Sequence, residues 1–446
     1  MDTKFTILIR TFSTNTSYYR DCLESIVGLV YESWNLIILD ETGGEEVRWI
    51  TEEMFPDDDR VSFRKLKNNR GFAYAYNIGV HFASGEYVIL VGQHDRLSGN
   101  MLDLLNDSIA NYDFIYCDHD ELVDMNRMNP HFKSDYNEEL IRHTPYIGEF
   151  LCFRRNLFFK VGELSDKLEF YPLYDFLFRN MEKGGKVKHI PKLLYHARVT
   201  EHAHQDEGTR KKRTREYAVV VGAHLKRLGL SATVTPQKNS DRLKVEYHGE
   251  NYKNHRDEFL FLHDKGIRIL GKNHMQKMYD VLSQPDVGIV GIRFTRWDLT
   301  NDNCGYIFGR EGIAYPACYN QSVLKDGYEG RASTPCDVSM VDFACAMIDE
   351  KLYRHVGGFS ANMEGRDIML DFCLKTQAAK RRIVYLPDVV AVRRVKNHMS
   401  SRDSNGLLME RWHDRLKEGD PYYNPNFSLG GSDFFVKPDA QQYDAR

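Results

Sequence analysis

Polar residues stand directly after several short apolar runs in the first 120 residues. Arg10 and Thr11 follow residues 5–9, Asp40 follows 36–39, Gln93, His94 and Asp95 follow 87–91, and Asp118, His119 and Asp120 follow 114–117. Carboxylates, imidazoles and guanidinium groups gathered in this way can hold a cation, take a proton from a hydroxyl and neutralise an anionic leaving group. One such residue is an ordinary strand-end cap. A polar group after every strand is the pattern of a ligand site, because ligands in open α/β sheets bind beyond the carboxyl ends of the strands.

The apolar runs lack polar alternation, and helical patterns separate them. Behind the capping residues Thr14, Asn15 and Thr16, the set Tyr19, Cys22, Leu23, Ile26 and Val27 marks one helix face, and a second helix is expected over residues 72–83, before Gly85. These features predict an α/β fold with a Rossmann-like, mostly parallel sheet and flanking helices. Near residue 200 the pattern changes. A polar stretch containing His202 and His204 leads into the basic residues Arg210, Lys211, Lys212, Arg213 and Arg215, which read as a loop before a helix over 217–228. A hairpin over 232–247 follows, giving two expected domains, 1–235 and 236–446.

The second domain echoes part of the first. Phe259-Leu260-Phe261-Leu262-His263-Asp264 repeats the form of residues 87–95, and Leu370-Asp371-Phe372 repeats Tyr174-Asp175-Phe176. The first eighty residues have no counterpart, so the second domain reads as a partial, degenerate copy.

Composition narrows the function classes. In 446 residues, 42% hydrophobic content supplies ample core, and a net charge of -4 argues against a nucleic-acid-gripping surface. No run approaches the ~18 apolar residues that cross a bilayer. The 8 cysteines include no Cys-X-X-Cys pair and read as reduced, buried residues of a cytoplasmic protein.

Taken together, Thr6-Ile7-Leu8-Ile9-Arg10-Thr11, Trp34-Asn35-Leu36-Ile37-Ile38-Leu39-Asp40, Asn69-Arg70-Gly71, Asn77, Ala83-Ser84-Gly85-Glu86-Tyr87 and His189-Ile190-Pro191-Lys192-Leu193-Leu194-Tyr195-His196 resemble family 2 glycosyltransferases of the GT-A fold. The likeness is to the two-module bacterial enzymes of surface-polysaccharide (O-antigen, capsule) assembly. It implies a GT-A-like domain that moves a sugar from a nucleoside-diphosphate sugar to a hydroxyl of a glycan or lipid-linked glycan, with inversion. It also implies a divalent cation, Mn2+ or Mg2+, a partner glycosyltransferase, and a cytoplasmic location that can include the inner face of the membrane.

By that resemblance Asp40 contacts the nucleobase, and Arg10, Thr11, Asn69, Gly71, Asn77, His94 and Arg198 line the nucleotide-sugar pocket. Asp95 and His196 are the expected metal ligands. The family's acidic metal motif is replaced by Gly92, Gln93 and His94, and Leu173 stands at the position of the base, leaving Asp175 and Glu169 as expected catalytic carboxylates. Lys265, Met369 and Arg394 hold the corresponding positions of the second copy. The alternative expectation is a catalytically inactive relative that binds a glycan or partner enzyme as an assembly or regulatory subunit.

Overall fold

The structure is a computed structural model describing residues 4–67, 70–148, 150–199, 206–309, 311–393, 406–429 and 434–438. The chain forms two compact units. The first comprises Met1–Tyr136, Pro145–Gly229 and Val234–Leu243, and the second Asn137–Thr144, Leu230–Thr233 and Lys244–Arg446.

The first unit is built on one sheet. Its strands are β1 (Phe5–Thr11), β2 (Trp34–Asp40), β3 (Val61–Lys65), β4 (Tyr87–Gly92), β5 (Arg96–Leu97), β6 (Phe114–Val123), β7 (Asn126–His131), β8 (Leu151–Arg154) and β9 (Val187–Arg198). Their order is β3-β2-β1-β4-β8-β6-β9-β5, with β7 beside β6. Strands β3, β2, β1 and β4 run parallel, and all seven residues of β1 are buried, as a strand covered on both faces requires. Helices α1 (Thr16–Val27), α2 (Glu46–Met54), α3 (Phe72–Phe82) and α4 (Met101–Ser108) punctuate this half. The short α5 (Glu138–His143) belongs to the second unit, and α6 (Arg155–Val161), α7 (Pro172–Met181) and α8 (Glu207–Arg227) complete the first. A hairpin, β10 (Ala232–Pro236) with β11 (Leu243–Tyr247), follows.

The α/β class and the partial repeat are both present. The second unit contains β12 (Phe259–His263), β13 (Ile267–Ile269), β14 (Val287–Arg296), β15 (Asn301–Asn303), β16 (Tyr306–Phe308), β17 (Ala314–Pro316), β18 (Cys336–Asp337), β19 (Cys345–Asp349) and β20 (Arg382–Arg393). Its main sheet runs β12-β19-β14-β20-β13, matching β4-β8-β6-β9-β5 position by position. The senses match too: the first two pairings are antiparallel, the third parallel and the last antiparallel in both units. Among the described residues, nothing in the second sheet corresponds to β1, β2 and β3. Helices α9 (His274–Leu282), α10 (Glu350–His355), α11 (Gly365–Ala378) and α12 (Gly406–Glu418) fill the roles of α4, α6, α7 and α8 in chain order.

Helix α5 joins the second unit through a buried polar network. Asn137 caps the helix by accepting from Leu140 N at 2.9 Å, and its amide donates to Asp337 O at 2.8 Å. Arg142 is fully buried and donates to Gln284 at 2.7 Å, Tyr247 at 3.1 Å and Glu138 at 2.8 Å. Arg382 reaches Asp337 at 2.9 Å and Glu139 at 3.4 Å, balancing the two buried acids. Burial raises the Asp337 carboxyl to about 6 despite Arg382. Burial would also raise Glu139, but His143, Arg142 and Arg382 outweigh it and hold the group at about 2.

Candidate functional site

The parallel half of the first sheet carries Arg10, Thr11 and Asp40 to adjacent strand ends, with Thr11 in register with Asp40. Asp40 is completely buried. Its Oδ1 accepts from Thr11 Oγ1 at 2.9 Å, Thr42 N at 3.0 Å and Thr42 Oγ1 at 2.7 Å, while Oδ2 has no hydrogen-bond partner among the described residues. A buried carboxylate oxygen without a donor is costly in a finished core and signals a ligand position. Arg10 does not project freely: its Nε pairs with Glu41 at 2.5 Å, and its guanidinium lies 4.1 Å from the Phe12 ring centre. Glu41, whose side chain is wholly buried, also accepts from Arg70 N at 3.1 Å. Sequence reasoning passed over Glu41, although an acid next to Asp40 at a strand end was a visible signal.

Gly71 opens α3 at φ +95°, a left-handed conformation that favours glycine. Asn69 lies outside the described residues. Asn77 is committed to a neighbouring loop. Its amide donates to Leu164 O at 2.9 Å and accepts from Leu164 N at 3.0 Å, so both ends of the side chain are used in holding a loop.

The segment in place of the acidic motif also serves architecture. Gln93 accepts from Phe12 N at 3.1 Å and Thr14 Oγ1 at 2.7 Å and donates to Phe12 O at 2.8 Å. His94 accepts through Nε2 from Asn15 N at 3.1 Å, and burial, followed by the Arg198 charge, lowers its pKa. This ring is a neutral clamp on the entry to α1, which corrects its expected contact with the donor. Asp95 accepts from Tyr195 OH through Oδ2 and from Arg198 N at 2.8 Å through Oδ1. Its carboxylate folds back over Gly92, where an added Cβ would clash with Oδ2. An acid at 92 would therefore displace Asp95 from both partners.

His196 points Nδ1 at Asp120 Oδ1, 2.6 Å away, and Nε2 at Ser98 Oγ, 3.1 Å away. Asp118 likewise accepts from His189 Nε2 at 2.8 Å, so the polar end of β6 staples β9 to the sheet. With both carboxylate oxygens of Asp95 and both nitrogens of His196 occupied, the expected metal pair does not fit a divalent cation. No cluster of three or more His, Cys, Asp or Glu residues suited to a metal occurs among the described residues. His202 and His204 lie outside them.

Arg198 is equally engaged. Its side chain is 1% exposed and donates to His94 O at 2.9 Å, Asp124 O at 2.8 Å and Asp21 Oδ2 at 2.9 Å. It is a buried tie, not a cation facing a diphosphate. Arg198→Ala is expected to destabilise the protein by about 3–5 kcal/mol, the range for stripping one partner from a buried pair, while the fraction that still folds keeps its ligand affinity. Thermal melting and ligand titration of the same preparation separate the two effects.

His119 sits between these staples, stacked on His131 with ring centres 4.5 Å apart and with a buried Nδ1 that has no hydrogen-bond partner among the described residues. Burial first, then the charges of Lys133 and His131, lowers its pKa from 6.5 to about 2. The unfolded chain binds this proton below about pH 6.5 and the folded chain does not, so stability from His119 is lost as pH falls. Melting temperatures between pH 7 and 4 should drop less steeply in His119→Phe than in the wild type.

The two expected catalytic carboxylates separate in character. Asp175, in the first turn of α7, pairs with Arg179 Nε at 2.9 Å and with Arg227 of α8 at 3.6 Å. The second unit repeats this arrangement: Asp371 on α11 pairs with Lys375 at 2.8 Å and with Arg411 of α12 at 2.8 Å. A clamp kept in the copy that lacks β1, β2 and β3 is a device for joining two helices, so Asp175 is reassigned from base to structure. Glu169 is exposed, its side chain has no hydrogen-bond or ion-pair partner among the described residues, and Gly365 takes its place when Asp175 is aligned with Asp371. The peptide around it is fixed by Glu216 of α8, which accepts from the N–H groups of Glu169, Phe170 and Tyr171 at 2.9, 2.7 and 2.8 Å.

The basic run is helical. Asp206 caps α8 by accepting from Thr209 N at 3.0 Å, and Lys211 pairs with Glu207 one turn back at 2.6 Å. Arg213 lies over the rings of Phe170 and Tyr171 at 5.6 and 5.7 Å. The expected loop over 210–215 is therefore the first half of a helix.

Residues 6–162 match the sequence profile of Glycosyl transferase family 2. Over 94% of its length the chain is 22% identical to the O-antigen biosynthesis protein RfbC of Myxococcus xanthus, and over 96% it is 23% identical to the uncharacterized protein y4gI of Sinorhizobium fredii. It spans 40% and 58% of those two proteins. Among solved structures, S. aureus TarS 1-349 in complex with UDP-GlcNAc is similar at a TM-score of 0.40 and 14% identity, covering 50% of this chain and 66% of that one. No helix among the described residues is long and apolar enough to cross a membrane.

Proposed function

We propose that this chain, whose residues 6–162 resemble family 2 glycosyltransferases, binds a nucleoside-diphosphate sugar in its first unit and transfers the sugar to a glycan hydroxyl in surface-polysaccharide assembly. The observation that carries this reading is the buried, unpartnered Oδ2 of Asp40 at the end of β2. A nucleobase N–H is the donor it lacks. Thr11 and Thr42 already fix the carboxylate through Oδ1, so the free oxygen is held ready to accept without reorganisation.

In the proposed inverting step, the acceptor hydroxyl oxygen forms a bond to the anomeric carbon as the bond from that carbon to the diphosphate oxygen breaks. The nucleoside diphosphate leaves with the electron pair, and Glu169 takes the hydroxyl proton. No step is assigned to a metal ion, because the residues expected to hold one are occupied. Glu169→Gln should lower turnover by roughly 100-fold or more, the scale of general-base catalysis, while leaving donor affinity intact. Release of nucleoside diphosphate from a panel of sugar nucleotides, with a surface glycan as acceptor, measures both; equal turnover in the variant would remove Glu169 from the mechanism.

One observation favours the second reading, a non-catalytic subunit that binds a glycan or partner enzyme. Gln93, His94, Asp95, His196 and Arg198 are all consumed by internal bonds. Donor binding with no turnover on any acceptor would select that reading.

A further inference from the structure

In the first unit β4 is flanked by β8 on one side and by β1 on the other. In the repeat, β12 takes the place of β4 and ends the sheet. The backbone pairing defines which groups face outward. Glu350 N donates to Glu258 O at 2.9 Å and Asp264 N to Ala344 O at 2.7 Å, so along β12 residues 258, 260, 262 and 264 bond toward β19. Phe259, Phe261 and His263 therefore direct N–H and C=O away from the sheet. Among the described residues these groups have no backbone partner. The strand carries none of the lysines, prolines or bulges that usually protect an edge. Leu260, Phe261 and Leu262 are half-buried.

We infer that the free edge of β12 pairs antiparallel with β12 of a second copy of this chain, joining two sheets across a two-fold axis at Phe261. The strand is complementary to itself in that register. Phe259 faces His263 of the partner subunit, Phe261 faces Phe261 of the partner subunit, and His263 faces Phe259 of the partner subunit. Each facing pair joins two outward-pointing residues and exchanges two hydrogen bonds, so three pairs make six. The flanks agree in charge: exposed Asp257 lies opposite exposed Lys265 of the partner subunit, and the contact recurs by symmetry. Glu258 and Asp264, the one acidic facing pair, are each turned to local partners, Glu258 to His255 at 3.0 Å and Asp264 to Gly266 N at 2.8 Å. This inference is independent of donor binding or turnover in the first unit.

Sedimentation velocity of the full chain over a dilution series tests it. The expected result is a species of twice the monomer mass that dissociates on dilution, with the amides of Phe259, Phe261 and His263 protected from hydrogen exchange only at high concentration. Phe261→Pro removes an outward N–H and no bond to β19, and should abolish the dimer while keeping the circular dichroism spectrum. Phe261→Lys sets two ammonium groups face to face across the axis and should do the same if the proline variant fails to fold. A wild type that is monomeric at every concentration, or a dimer that survives both substitutions, overturns the inference.

Discussion

Asp40→Ala is expected to weaken nucleoside-diphosphate binding by roughly tenfold to a hundredfold, from the ~1.5–3 kcal/mol that a hydrogen bond to a charged group contributes. The expectation rests on Oδ2, the one Asp40 oxygen with no internal donor. Alanine also releases Thr11 and Thr42, so part of the change could reflect a rearranged strand end. Asp40→Asn separates the effects. With its oxygen toward the threonines, the amide NH2 replaces Oδ2 and meets the nucleobase N–H donor to donor. Calorimetric titration should show a similar loss of affinity in Asn and Ala, while only Ala lowers the melting temperature. Unchanged affinity in both variants would remove Asp40 from the donor site.

Glu139→Ala should be the most destabilising substitution in the second unit. It leaves the fully buried Arg142 and the nearby Arg382 short of a counter-charge, since Glu139 lies 3.4 Å from each. Breaking a buried pair from one side costs about 3–5 kcal/mol, which lowers the melting temperature by roughly 6–20 °C in a unit of this size. The pH dependence has a defined sign. Glu139, held at about 2, contributes stability that is present above about pH 4.5 and lost as pH falls through its folded value. Asp337, raised to about 6, acts oppositely: the folded state holds its proton more tightly, so stability falls as pH rises from about 4 to 6. Asp337→Asn should flatten the second trend, and Glu139→Ala should abolish the first. Scanning calorimetry across that range checks both; a melting temperature indifferent to Glu139→Ala would mean the network holds without it.

Architecture was legible in the sequence where it depends on apolar periodicity. The unbroken runs that became β1, β2 and β4 announced a covered parallel sheet, and the echo of residues 87–95 in 259–264 announced a repeat whose strand order proved the same. The place of Asp40 at the end of β2 was legible because a strand-end acid is visible in one dimension. What could not be read was which polar atoms are already used. His94, Asp95, His196 and Arg198 have the residue types of a metal and phosphate site, yet their partners Asn15, Tyr195, Asp120 and Asp21 come from other elements, 76 to 177 residues away in all four cases. The same holds for α5, whose Asn137 meets Asp337 across 200 residues. The helical basic run was partly visible: Asp206 as cap and the Glu207–Lys211 spacing are start signals that the density of charge concealed.

The internal repeat bears on Asp175. Alone, an acid at the start of α7 could serve as a base. Set beside Asp371, which pairs in the same way in a unit without the β1, β2 and β3 strands, it is a helix clamp. Glu169, with Gly365 at its place in the repeat, has no such counterpart, which is why the proposed transfer gives it the proton.

The most direct measurement is calorimetric titration of the full chain with a panel of nucleoside diphosphates and their sugar conjugates, in EDTA and in manganese. The expected result is saturable binding of at least one nucleotide, undiminished by EDTA and lost in Asp40→Asn. Absence of binding to every member of the panel under both conditions would contradict it and leave the non-catalytic, partner-binding reading.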